Sequence, residues 1–177
     1  MLHRFLPWIG APEGAIDWCI RVDDIRTAIR RLREAGVEMV DESEFQRERP
    51  DGEVAKWLLA GPRDTRLPFF IEDLTPTEIR VPSRQLSTHP NGVTGIRRLV
   101  LPGDAKAAFE RALGRVLRTE PGSMPESAPL GNVTIESCSP PGMLEAPYRL
   151  ELSRPGSGDA DLEPNKTFGV PIKLVGR

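Results

Sequence analysis

The chain has 177 residues, of which 38% are hydrophobic and 28% are charged, and its formal net charge at pH 7 is −2. A chain of this length and composition folds as one domain or as two small units that share a core, and it is not typical of a disordered or membrane-spanning protein. The slightly acidic balance disfavours a nucleic-acid partner, because proteins that bind polyanions carry an excess of basic residues.

The first predicted unit is a strand and a helix followed by further strands. Residues 15–22 alternate between apolar and polar side chains, which predicts the first strand. Asp24 then stands as the N-cap of a helix, whose apolar residues recur every three or four positions until Gly36 ends it. The turn sequence at 50–52 separates two more predicted strands, and 68–72 predicts the last one.

The same pattern starts again after a segment that is rich in Pro, Thr, Ser and Arg. Residues 96–101 predict a strand, and Asp104 predicts the N-cap of a second helix. An offset of about 80 residues aligns the two strands, the two N-caps and the two apolar helix faces, which indicates a repeat. The alternative also stands, because any two strand-helix units can be aligned in this way when few residues are identical.

Three stretches of the sequence carry a resemblance to a known family. They are Trp18-Cys19-Ile20-Arg21-Val22-Asp23-Asp24-Ile25, then Arg47-Glu48-Arg49-Pro50-Asp51-Gly52 with Trp57, and Pro68-Phe69-Phe70-Ile71-Glu72. They are similar to the glyoxalase-like domain of the vicinal-oxygen-chelate superfamily. The resemblance implies an α+β fold in which two βαβββ modules form curled mixed sheets around a cup, with the helices outside and a small-molecule site within.

On this basis the chain is expected to have five parts. They are an N-terminal extension at 1–14, a first βαβββ module at 15–73, a linker at 74–94, a second module at 95–153, and a partly mobile C-terminal tail at 154–177. Within the tail, residues 168–175 predict a short strand at a sheet edge or a contact with a partner subunit. Family members often carry a further module ahead of the Trp18 strand. Either the start is shortened, or the two modules here pair, or a partner chain completes the cup.

The resemblance also implies the positions of the site residues. In metal-dependent members the ligands are a histidine in the first strand of a module and a glutamate in its last strand. The first-strand positions fall on Asp17 and Arg97, and the last-strand positions fall on Glu72 and Glu151. Strand alternation predicts that these four side chains face the cup, opposite the helix-facing residues Ile16, Ile71, Ile96 and Leu150.

Three interpretations of this set stay open. Asp17, Glu72 and Glu151 could together hold a divalent cation such as magnesium or manganese. Arg97 opposes that interpretation, because a guanidinium is a fixed positive charge without a lone pair, and it favours an internal salt-bridge network with Glu72 or Glu151. In the third interpretation Arg97 or Arg149 receives an anionic group of a ligand. We expect no cofactor, with the divalent metal as the alternative.

The predicted function is that of a glyoxalase-like small-molecule-binding protein, and the fold alone does not decide whether it is an enzyme. In the enzymatic version, of lyase, isomerase or dioxygenase type, Glu72 and Glu151 act as general bases and Arg97 orients an anionic substrate. Trp57 is either a core residue or a stacking surface for the ligand. The alternative is a non-catalytic dimerising module that binds or sequesters its ligand. A homodimer is expected, without nucleic-acid or membrane partners.

Cysteine usage predicts a cytoplasmic location. Cys19 and Cys138 form no Cys-x-x-Cys pair and lie in separate predicted strands, which is typical of reduced thiols. The apolar run at residues 5–9 is short and contains Pro7, so it is not typical of a signal peptide. The two histidines, His3 and His89, lie near the N-terminus and in a predicted turn, which disfavours nucleophilic catalysis through a histidine.

Overall fold

The computed structural model describes residues 2–11, 13–81, 89–113, 129–130, 133–138 and 149–176. They form two β-sheets, of four and six strands, together with α-helices. This arrangement confirms the predicted α+β class with mixed sheets. Within the described ranges, no helix is long and apolar enough to cross a membrane.

The first unit forms the four-stranded sheet. Its strands are β1 (Cys19–Arg21), β2 (Ser43–Glu48), β3 (Val54–Ala60) and β4 (Phe69–Asp73). They lie in the order β1-β4-β3-β2. The first strand is parallel to β4, whereas the other neighbours are antiparallel. A helical crossover between β1 and β2 allows this order, because parallel strands need a long connection.

The helix of this unit is α1 (Ile25–Glu34), and local signals in the sequence set both of its ends. The Asp24 side chain accepts a hydrogen bond from the Thr27 backbone N–H at 2.9 Å, which confirms the predicted N-cap. Gly36 ends the helix with a φ of 84°, a left-handed conformation that glycine adopts without strain. Its N–H donates to the Arg33 carbonyl, as expected for a residue that satisfies the free carbonyls of a helix end.

The second unit contains the six-stranded sheet. Its elements are β5 (Gly95–Pro102), α3 (Gly103–Leu113), β6 (Pro129–Leu130), β7 (Val133–Cys138), β8 (Arg149–Arg154), β9 (Ala160–Asp161) and β10 (Ile172–Gly176). The strand order is β6-β7-β5-β8-β10-β9. The short helix α2 (Thr77–Arg80) precedes this unit in the chain and contacts β3 of the four-stranded sheet. Asp104 lies in the first turn of α3, since that helix begins at Gly103, so the predicted N-cap is displaced.

The two units share the order of their elements but differ in how their strands pair. The repeat predicts that β5 and β8 pair as β1 and β4 do. However, β1 and β4 are parallel, whereas β5 is antiparallel to β8 and parallel to β7. The other side of β8 pairs with β10, so the predicted C-terminal strand lies between β8 and β9 rather than at an edge.

Both units contribute to one hydrophobic core. Buried residues of α1, such as Ile29 and Leu32, belong to the same cluster as Phe109 of α3 and Leu101 of β5. Trp18, just before β1, joins the units through a tilted contact in which its ring lies 5.5 Å from the ring of Phe109. The expectation of two units that share a core therefore describes how the chain packs.

Candidate functional site

Asp17 lies against the N-terminal segment rather than in a shared hollow. Both of its carboxylate oxygens accept hydrogen bonds from Arg4, whose Nε and Nη2 lie 2.7 and 2.8 Å away. Arg4 also donates to the backbone carbonyls of Pro62 and Leu67. The Arg4 side chain is fully buried and that of Asp17 is 7% exposed. Asp17 thus joins the N-terminal turn to the first unit, and its charge is already paired with that of Arg4.

Glu72 faces α1. Its carboxylate accepts a hydrogen bond from the backbone N–H of Ile25 at 2.8 Å, at the N-terminus of that helix. Phe70 belongs to the core on the same face of β4, whereas Ile71 lies outside that cluster. The predicted assignment of faces is therefore reversed in β4. The reason is that Phe70 and Ile71 are both buried, so alternation along this strand does not identify the core face.

Glu151 lies in a salt-bridge network on the face of the six-stranded sheet opposite the core residue Leu150. Its carboxylate is 3.4 Å from Nη1 of Arg98 and 3.3 Å from Nη2 of Arg149. Arg98 also contacts Glu136 at 3.1 Å. The two arginines and two glutamates balance in charge, and Glu151 is the buried member of this network.

Arg98 takes the place that the sequence assigns to Arg97. The pairing between β5 and β8 shifts by one residue between Ile96 and Arg98, so two steps along β5 correspond to one step along β8. Such a bulge leaves one residue unpaired and changes which side chains share a face. As a result Arg98 is aligned with Glu151, whereas Arg97 is exposed.

The three carboxylates considered as metal ligands bond to three different partners. Asp17 bonds to Arg4, Glu72 to the N-terminus of α1, and Glu151 to Arg98 and Arg149. Over the described part of the chain, no group of three His, Cys, Asp or Glu residues could hold a metal ion. The described residues therefore bring neither the predicted ligand set nor a substitute for it together.

A different surface combines aromatic and charged side chains. We call it the arginine face: the face of the four-stranded sheet opposite α1, together with the last residue of α2. Cross-strand partners on it include Phe45 with Trp57 and Trp57 with Asp73. Phe45 remains 38% exposed and Trp57 is half-buried. The residues of this surface are Cys19, Arg21, Phe45, Arg47, Trp57, Ile71, Asp73 and Arg80.

The short helix α2 lies over one end of the arginine face. Nη2 of Arg80 is 3.0 Å from Oδ2 of Asp73, and the same carboxylate accepts a hydrogen bond from the Thr77 hydroxyl at 2.9 Å. Arg47 donates to the Arg80 carbonyl at 2.9 Å, and Nη1 of Arg21 is 3.5 Å from the Thr77 hydroxyl. Side chains from β1, β2 and β4 therefore meet at α2.

Three groups on this face have shifted pKa values. The hydrogen bond from Arg80 holds the pKa of Asp73 below its usual value, and the same bond raises the pKa of Arg80. Burial raises the pKa of the Cys19 thiol, and the charge of Arg80 opposes that shift. Asp73 is thus kept ionised, whereas Cys19, a free cysteine, is kept in its thiol form.

Sequence reasoning included Trp57 but missed the arginines around it. Arg21 and Arg47 lie on the same face of the sheet as Trp57, so strand alternation could have found them. Arg80 lies in a segment predicted to be a linker, and only its contact with Asp73 reveals its position. The alignment of Arg98 with Glu151 depends on the bulge in β5, which the sequence does not show.

A separate hollow of about 290 Å³ lies between the C-terminal end of α1 and α3. Leu67 and Ala108 line it, together with a charged rim that includes the pair of Glu38 and Arg63, 2.8 Å apart. None of the site residues predicted from the sequence line it. Residues 114–128, which follow α3 in the chain, lie outside the described residues.

The order and topology of the elements define an α+β protein built from βαβββ-ordered units. The fold is of a kind that binds small molecules. A family model described as a glyoxalase-like domain matches residues 6–117, more than half of the chain. The chain therefore belongs to the glyoxalase-like domain family, consistent with the vicinal-oxygen-chelate superfamily.

The chain is also similar to a solved structure, the crystal structure of a hypothetical protein from Staphylococcus aureus. The TM-score is 0.62 with 14% sequence identity, and the match covers 90% of this chain and 65% of that one. This chain thus spans less than two thirds of the length of that protein. At this identity the likeness shows the fold alone. The search of curated proteins finds no match.

Proposed function

We propose that this glyoxalase-like chain binds a small molecule on the arginine face, with the body of the ligand against Phe45 and Trp57. The observation that carries the proposal is the cross-strand pair of these two rings on the face that α1 does not cover. Large aromatic side chains contribute most when they are buried, so a partly exposed pair favours a ligand that completes the burial.

The surroundings of the aromatic pair support a binding site more than a packing surface. Ligand sites combine apolar walls with a few polar groups that fix orientation. The arginine face supplies both, because Ile71 lies beside the rings while Asp73 and the arginines lie at α2. Glu72 and Glu151 have no catalytic role in this proposal, since each bonds to protein groups on another face.

The neutral fluorescent probe N-phenyl-1-naphthylamine tests the proposal, because its fluorescence rises in apolar surroundings. Trp57→Ala and Phe45→Ala should each weaken its binding by up to about tenfold, the loss expected when an aromatic contact is removed. The matched control is Phe168→Ala, which removes an exposed aromatic side chain in the C-terminal tail. Equal affinity in the native protein and in Trp57→Ala would contradict the proposal.

A further inference from the structure

We propose that the arginine face selects an anionic ligand, through a cluster of three guanidinium groups that a single carboxylate balances only in part. This inference rests on the proposed function, because it concerns the ligand class of the same face. The three arginines come from separate elements: Arg21 from β1, Arg47 from β2 and Arg80 from α2.

The contacts show that the three guanidinium groups converge on α2. Arg80 pairs with Asp73, and the carbonyl of Arg80 accepts a hydrogen bond from Arg47. Arg21 reaches the other end of the same short helix, at Thr77. Arg21 and Arg47 are exposed, and neither forms an ion pair with a carboxylate in the described part of the chain, although the charge of Arg21 helps to lower the pKa of Asp73. Asp73 therefore faces three guanidinium groups, which leaves a net positive charge beside the aromatic pair.

This charge runs against the composition of the chain, whose formal net charge is −2. An excess of arginines on one face of an acidic protein raises the local concentration of anions and slows the binding of cations. The fork of donors on each guanidinium also matches a carboxylate, sulfonate or phosphate group.

The other arginine-containing face is a weaker candidate. On the six-stranded sheet, Arg98 and Arg149 are matched by Glu136 and Glu151, so that network is balanced in charge. A ligand anion there would have to displace a protein carboxylate that is 7% exposed. On the arginine face, by contrast, Arg21 and Arg47 are available without breaking an ion pair.

Two fluorescent probes that share one aromatic skeleton separate the effect of the ligand's charge from that of its shape. The anionic probe is 1-anilinonaphthalene-8-sulfonate, and the neutral one is N-phenyl-1-naphthylamine, which lacks the sulfonate. The quantity compared is the affinity for the anionic probe divided by that for the neutral probe. We expect the double variant Arg21→Gln/Arg47→Gln to lower this ratio by about tenfold, the equivalent of about 1.4 kcal/mol.

The matched control is Arg30→Gln/Arg31→Gln, which removes the same charge from exposed positions of α1 and should leave the ratio unchanged. In the native protein the ratio should also fall as sodium chloride is raised, because salt screens exposed charges. A ratio that is independent of salt, or that falls equally in both double variants, would overturn the inference.

The outcomes also distinguish this inference from the proposed function. If Trp57→Ala removes the neutral probe while the arginine variants leave the ratio unchanged, the binding face stands and anion selection is wrong. If the arginine variants lower the ratio while Trp57→Ala binds the neutral probe normally, anion selection stands and the aromatic contact is wrong. Failure of both probes to bind the native protein would overturn both.

Discussion

Arg4 and Asp17 form a buried, two-pronged ion pair, in which the Nε and Nη2 atoms of the arginine lie 2.7 and 2.8 Å from the two carboxylate oxygens. The arginine also donates to three backbone carbonyls, those of Pro62, Thr65 and Leu67. It therefore ties the N-terminal turn to the loop before β4. The segment at 1–14 was expected to be an extension, yet its fourth residue is one of the most deeply buried.

Removing one partner of this pair should lower the free energy of unfolding more than removing both partners does. Arg4→Met leaves the Asp17 carboxylate buried without a counter-charge, and we expect it to lower the free energy of unfolding by about 3–5 kcal/mol. The double variant Arg4→Met/Asp17→Leu should lose clearly less, since no charge stays buried alone. Urea unfolding of the native protein, of the single variants Arg4→Met and Asp17→Leu, and of the double variant measures this. A double variant as unstable as the sum of the two single variants would contradict the expectation.

Because of the bulge in β5, the adjacent residues Arg97 and Arg98 should contribute differently to stability. Arg98→Gln removes an ionic partner from the buried Glu151, and we expect a loss of about 1–3 kcal/mol in the free energy of unfolding. Arg97→Gln, at an exposed position, should change it by less than about 0.5 kcal/mol and serves as the control. Thermal or urea unfolding distinguishes the two. The opposite ranking would show that β5 pairs with β8 without the shift.

The pair of Asp73 and Arg80 should make the protein sensitive to acid. The pKa of Asp73 is lowered in the folded state, chiefly by the hydrogen bond from Arg80. Its stabilising contribution is therefore complete above the unfolded value of about 3.9 and is lost as the pH falls through the lower folded pKa. Arg80→Gln should reduce the fall in unfolding free energy between about pH 5 and pH 2.

The control for this pH series is Arg31→Gln, which removes an arginine from an exposed position of α1. Its unfolding free energy should follow the pH dependence of the native protein, because no contact joins Arg31 to Asp73 among the described residues. Parallel curves for the native protein and Arg80→Gln over the acid range would mean that this ion pair does not set the acid sensitivity.

Divalent cations should not stabilise the protein through the carboxylates that the sequence singles out. Asp17, Glu72 and Glu151 each already bond to a protein donor, so a cation would have to break these bonds to bind. The melting temperature should therefore be the same with and without manganese or nickel. An increase that disappears in Glu72→Ala and Glu151→Ala would contradict this expectation, because a ligand that binds only the folded state raises its stability.

The helix boundaries were accessible from the sequence because they depend on neighbouring residues. Asp24 caps α1 through an N–H three residues away, and Gly36 ends it in a conformation that other residues adopt less readily. The turn between β2 and β3 was predicted on the same grounds, and Gly52 has a φ of 84° there. The family match and the α+β class confirm the corresponding predictions.

The dimer, the cytoplasmic location and the identity of the ligand stay predictions. Any enzymatic activity also stays a prediction. The interpretation of Glu72 and Glu151 as general bases requires both carboxylates to lie in one hollow. Their bonds to Ile25 and to Arg98 and Arg149 instead give each carboxylate a local role. The arginine face offers a more open surface for a ligand, and its chemistry favours binding over proton transfer.

By itself, the sequence determined the order of strands and helix in the first unit, the ends of α1, and the family, because those depend on short patterns of residue type. Only the tertiary structure decided which face each strand presents and which residues meet. Both Phe70 and Ile71 are buried, so the sequence does not show that Glu72 faces α1, and Arg98 replaces Arg97 because of the bulge in β5. In a strand, a shift of one residue exchanges the two faces, and contacts between distant segments set that shift.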